Sequence, residues 1–147
     1  MATNLIMPTM QTRKTTPRAA YRLGVTERIL ASPTLAARFP RLKALTINIE
    51  FFDSGGLTRN GGMKYKPNLE KAKAMVCFDC PSGECVGGDY DVSEELRRAI
   101  AAGKTTLTGE LQCQGMRHKP KQTPSRCLNL LRYEFRLVYV SGRAKGT

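Results

Sequence analysis

The chain has 147 residues, 41% of them hydrophobic, with 24 Lys and Arg against 12 Asp and Glu for a net charge of +12. That length suits one domain that buries roughly two thirds of its unfolded surface, so a core is attainable without a disulfide framework. No apolar run nears the roughly 20 residues of a membrane-spanning helix, the N-terminus has no secretory apolar stretch, and a cytoplasmic protein is expected.

In chain order, residues 1–20 are rich in Thr, Pro and bases and read as a flexible basic arm. They share the basic, acid-poor character of an organellar transit peptide, but Pro8 and Pro17 interrupt any amphipathic helix. A single α+β domain is expected over 21–140 and a loose tail over 141–147. Thr26 is a candidate cap for a short helix, Glu27 to Ala31, and Ser32-Pro33 restarts a turn or two through Arg38. Ala44 to Phe52 alternates, with Leu45, Ile47, Ile49 and Phe51 on one side, which is the period of a half-buried strand. The glycine-rich stretch 54–62 reads as a mobile loop.

Lys71 to Cys80 carries Ala72, Ala74, Val76 and Phe78 at every second position and predicts a second strand. Asp91 followed by Glu94 resembles a capping box opening the main helix, with Val92, Leu96 and Ile100 on one face and Gly103 closing it. Thr105 to Met116 predicts a third strand. After a basic loop, Arg117 to Arg126, comes a fourth with Leu131, Tyr133, Phe135, Leu137 and Tyr139 on one face. Its other face, Arg132, Glu134 and Arg136, suggests cross-strand ion pairs in solvent. The order predicts an α+β fold: a mostly antiparallel four-stranded sheet, one main helix packed on one face, and a short N-terminal helical segment.

The five cysteines stand at 77, 80, 85, 113 and 127, beside a lone His118. An odd count without an export signal shifts the reading from disulfides to a metal, a reactive thiol or plain packing. Cys80 and Cys85 flank a Pro-Ser-Gly-Glu turn, and Cys113 and Cys127 stand on the two sides of one hairpin. If both turns lie at one end of the sheet, Cys80, Cys85, Cys113 and Cys127 can hold zinc, each pair delivered by a local loop. His118 is an alternative to Cys127. Neither pair has the tight two-residue knuckle spacing. Cys77-Phe-Asp-Cys80 has the spacing of a thiol redox pair, but that chemistry wants the first thiol at a helix N-terminus and here it lies in a strand. An iron–sulfur cluster could use the same four thiolates.

Gly103-Lys104-Thr105 is not a phosphate loop, since Arg98 stands where the first glycine belongs and the piece ends a helix. With His118 on a Lys- and Pro-rich loop, no hydrolase triad can be assembled. The acids Asp79, Glu84, Asp89 and Asp91 around the cysteine turn are either partners of the site or solvated turn residues.

Charge is uneven. Residues 1–43 hold eight bases and one acid, 44–103 seven and nine, and 104–147 nine and two. Two basic ends suggest a polyanion partner. The expected contacts are Arg13, Lys14, Arg18 and Arg22 of the arm with Arg117, Lys119, Lys121 and Arg126 of the loop, meeting nucleic-acid phosphates, RNA more than DNA. The sequence thus points to a zinc-stabilised nucleic-acid-binding or ribonucleoprotein-associated module without catalytic activity. Two alternatives stand beside it: a thiol redox enzyme or sensor, and an adaptor for acidic protein partners.

Overall fold

A computed structural model describes residues 16–141. Two helices open it, α1 (Pro17–Ala31), which at 15 residues is longer than the 9-residue helix at Ser93–Ala101 expected to be the main one, and the short α2 (Leu35–Arg38). The strands β1 (Leu42–Phe52), β2 (Arg59–Tyr65), β3 (Cys77–Asp79), β4 (Cys85–Val86) and β5 (Asp89–Asp91) follow. After α3 (Ser93–Ala101) come β6 (Thr106–Gln112), β7 (Met116–Arg117), β8 (Ser125–Arg126) and β9 (Leu130–Tyr139). The main sheet is antiparallel in the order β2-β1-β9-β6, with two small sheets, β3-β5 and β4-β7-β8. The α+β class with a four-stranded antiparallel sheet is as expected. Among the described residues no helix is long and apolar enough to cross a membrane.

Register explains the core. Ile47 stands opposite Phe135, Ile49 opposite Tyr133 and Leu45 opposite Leu137, so the apolar face of β1 meets that of β9 pair by pair. Against this face lie Leu35, Val76, Phe78, Tyr90, Val92, Leu96 and Ala99, all buried. The opposite face is polar, and Arg132 reaches Glu110 across β9–β6 at 2.8 Å while Arg59 reaches Glu50 across β2–β1 at 3.1 Å.

Gly103, at φ +67°, closes α3. Its N–H donates to the Ile100 carbonyl and that of Lys104 to Ala99, the paired bonds of a Schellman ending. The expected reciprocal capping box does not form at the other end. Asp91 accepts from the Ser93 N–H, while Glu94 turns to Arg97.

Four expectations about elements need correction. Residues 17–20 are the first turn of α1, not arm: the Thr16 hydroxyl accepts from the Ala19 N–H and Pro17 opens the helix, so Pro17 starts what it was expected to interrupt. Thr26 lies inside that helix, and the second helix starts at Leu35, capped by Thr34. The stretch 54–62, expected to be loop, gives its last residues to β2, the edge strand. Of Lys71–Cys80 only Cys77–Asp79 is strand, and it pairs with β5 outside the main sheet.

Candidate metal centre

Two loops build the site. β7 pairs with β4 on one side and β8 on the other, with Cys85 opposite Arg117 and Met116 opposite Arg126. This small sheet lays the 80–85 turn on the hairpin that carries Cys113 and Cys127. The Cys127 N–H donates to the Gly115 carbonyl, and the Cys113 N–H to that of Asn129. Cys80, Cys85, Cys113 and Cys127 are thereby brought together with exposures of 0, 0, 0 and 1%.

Their sulfurs all lie within 4.8 Å of one another, Cys80 to Cys127 at 3.7 Å and Cys85 to Cys113 at 3.6 Å. Four buried sulfurs this close can hold a metal ion. The spacing suits one four-coordinate ion. A cluster interposes several metal atoms and would hold thiolates on different irons farther apart. His118 is exposed and meets the site only through its backbone, its N–H donating to the Glu84 carbonyl.

Two glycines give the sulfurs room, and neither stood out in the sequence. A Cβ on Gly88 would fall 2.6 Å from Cys113 Sγ, nearer still to Cys85 Sγ, and 3.1 Å from Cys80 Cβ. One on Gly115 would fall 2.5 Å from Cys85 Sγ. Backbone amides also point at sulfur: the Gly115 N–H donates to Cys113 Sγ at 3.4 Å, and Ser82 does the same for Cys80. Each donor lies two residues after its cysteine.

Proton affinities diverge within the cage. Hydrogen bonding from Cys113, aided by Ser82 and the other two thiols, brings Cys80 down to about 5 against the opposing effect of burial. Burial pushes Cys85 up to about 12, and the hydrogen bond to Cys80 followed by burial raises Cys113. Cys80 is thus the sulfur that gives up its proton most readily, whereas Cys85 and Cys113 hold theirs and a bound cation must displace them. Cys77 stands apart. Half-buried on β3, it is pushed up to about 12 by burial and then by the charges of Asp91 and Asp89, so it is a thiol at neutral pH and a poor nucleophile.

The arginines expected to meet an anion divide. Arg13 and Lys14 lie outside the described residues. Arg18 is half-buried, its guanidinium donating to the carbonyls of Cys85, Ser82 and Cys80 at 2.6, 2.8 and 3.0 Å. Arg22 pairs with Asp79. Arg117 lies against the Cys127 sulfur and donates to Asn129 Oδ1 at 2.7 Å. Arg126 donates to Gln114 Oε1 at 2.8 Å, and Lys119 and Lys121 are exposed. Three of these bases therefore brace the protein itself: Arg18 ties α1 to the cysteine turn, Arg22 fixes it to β3, and Arg117 sets positive charge beside the sulfurs. Three of the four acids are likewise structural, Asp79 pairing with Arg22, Asp89 accepting from the Tyr21 hydroxyl at 3.2 Å and Asp91 at the start of α3, while the Glu84 side chain is exposed.

Comparison with family models, with curated proteins and with solved structures finds no match to this chain.

Proposed function

We propose that this chain is a small nucleic-acid-binding module, RNA before DNA, braced by one structural zinc ion and without catalytic chemistry of its own. The observation that carries the reading is the closed set of four buried sulfurs, from two separate loops, all within 4.8 Å. Zinc–sulfur bonds of about 2.3 Å place tetrahedral ligands about 3.8 Å apart, close to the 3.6 and 3.7 Å of the two nearest pairs. Four protein ligands leave no open position for a substrate, which favours a structural role. Four thiolates and a divalent ion sum to −2, and Arg117 and Arg18 sit where they offset it.

The nucleic-acid half rests on the net charge of +12. A thiol enzyme is the weaker reading, because Cys77 holds its proton and the other four cysteines are buried together.

Elemental analysis of untagged protein purified without chelator tests the first half. About one zinc per chain is expected, and no metal, with five free thiols counted after denaturation, would overturn it. Binding to a mixed RNA pool at about 50 mM salt tests the second, and its absence would remove that half.

A further inference from the structure

We propose that the polyanion is held not at the metal end but in a basic groove at the opposite end of the sheet, where Lys43 and Lys66 grip the phosphodiester backbone of single-stranded RNA. The proposal rests on the nucleic-acid reading above and says where on the protein it operates.

β9 runs away from the metal centre, from Leu130 beside Asn129 to Tyr139, and Tyr139 stands opposite Leu42 at the start of β1. At that far end the chain between β1 and the segment after β2 forms a groove of about 550 Å³. Lys43 and Lys66, distant in sequence, line it together, and Glu70 is the one acid that does. Arg41 lies on the same end, its carbonyl accepting from the Val140 N–H. Lys104 is there too, its carbonyl accepting from the Tyr139 hydroxyl at 2.6 Å. Lys43, Lys66, Arg41 and Lys104 are all exposed, and none has an ion-pair partner among the described residues.

Backbone geometry singles out Lys43. The register between β1 and β9 shifts between Leu42 and Ala44, so Lys43 is an extra residue in the strand. In a regular strand one of Lys43 and Ala44 would face the core. Here both are exposed, and the bulge re-aims the lysine outward. Donors other than charge complete the lining. The Asn68 side-chain oxygen accepts from the Glu70 N–H at 3.0 Å, which leaves its NH₂ group to donate, and Thr46 also lines the groove. Lysine point charges with an amide and a hydroxyl are the donor set of phosphate and sugar contacts, which position a strand without reading its bases. Pro40, Pro67 and Leu69 supply an apolar wall for a base or sugar. Among the described residues the metal end is poorer in available charge, since Arg18, Arg22 and Arg117 are bound to the protein itself and Lys119 and Lys121 are left.

The test is fluorescence anisotropy of the full chain with a labelled, mixed-sequence single-stranded RNA of about 20 nucleotides at about 50 mM salt. Lys43→Glu with Lys66→Glu is expected to weaken binding at least about tenfold. Neutral Lys43→Gln with Lys66→Gln should lower the slope of log affinity against log salt by about 1.4, at about 0.7 per lost single-strand phosphate contact. Lys119→Glu with Lys121→Glu is expected to change affinity less than about threefold. The Gln pair keeps the proposal testable if charge reversal disturbs folding, and metal content with far-ultraviolet circular dichroism verifies each fold. If RNA binds but the groove variants match wild type, or the metal-end pair loses as much, the groove assignment falls and the nucleic-acid reading stands. If wild type binds no RNA, both fall. Tighter binding of poly-glutamate than of RNA, lost in the groove variants, would overturn the proposal in favour of an acidic protein partner.

Discussion

Gly88→Ala is the sharpest test of the cage, because one methyl group is added where three cysteines converge. Gly88 does not occupy the left-handed backbone region, so alanine brings no conformational strain and the effect is steric. The new Cβ would stand 2.6 Å from Cys113 Sγ, against an ordinary separation of about 3.8 Å, so that sulfur must retreat by about 1 Å and Cys85 Sγ by more. Metal–ligand distances tolerate about 0.2 Å, so two of four ligands leave bonding range. The backbone has little room to retreat instead. The Gly88 carbonyl accepts from the Cys80 N–H at 3.2 Å, and Gly115 is packed against the Gly88 amide. Overpacking costs about 1–3 kcal/mol, and misplacing ligands should lower metal affinity at least about a hundredfold. Gly83→Ala is the control: it lies in the Cys80–Cys85 turn on the other side of β4, and its added Cβ meets nothing within 4 Å. The assay is competition for zinc against a calibrated chelator, with thermal melts of loaded and chelated protein. A Gly88→Ala variant that keeps one zinc per chain, with affinity within about threefold of wild type, would refute the described closure of the site.

Arg18→Ala removes a charged donor from three carbonyls around the cysteine turn and should cost about 2 kcal/mol, read as a lower Tm and faster zinc transfer to chelator; Arg18→Lys should recover only part. Cys77 should resist iodoacetamide in native protein at pH 8, because its thiol is pushed up to about 12, and Cys77→Ser should keep full metal content. Metal affinity should fall as pH falls, since the ion competes with protons for the sulfurs. The chelated protein should show the opposite trend in alkali. Cys85 and Cys113 are raised, so the fold favours their neutral forms; that contribution is intact below the ordinary thiol value and is lost as pH climbs from about 9 towards about 12, whereas the loaded protein, already holding thiolates, should be flatter across that range.

The legible parts of the fold were those where side-chain period and backbone partner agree. β1, β6 and β9 alternate because one face is buried, and α3 ends at Gly103 because that residue takes the left-handed turn. Lys71–Cys80 also alternates, and its apolar side chains do face the core. Yet the Ala72 carbonyl accepts from the Leu35 N–H, and the Ala74 N–H donates to the Pro33 carbonyl. Period two reports which side chains are buried, not which backbone completes the ladder. β2 failed the other way. As an exposed edge strand carrying Asn60-Gly61-Gly62 it has neither period nor propensity, and pairing with β1 imposes its shape.

The four cysteines could be paired from sequence because each pair is local and a turn fixes its geometry. Their surroundings could not. Gly88 and Gly115 matter through contacts with sulfurs 3 to 30 residues away, and nothing in a sequence separates a glycine that turns the chain from one that makes room. The same holds for charge. Arg18 and Lys43 are indistinguishable as positive residues in a basic N-terminal third. Arg18 faces three carbonyls that need a donor, whereas Lys43 is pushed outward by a bulge with no acid paired to it. Net charge therefore fixes that a surplus of bases must face solvent somewhere. Which bases belong to that surplus is decided only after the fold has used its own share: Arg18, Arg22 and Arg117 around the metal centre, and Arg59, Arg97, Arg98, Arg132 and Arg136 in ion pairs on the sheet face and α3. That is why the far end of the sheet, where Lys43, Lys66, Arg41 and Lys104 have no ion-pair partner among the described residues, is the place to look for the anion.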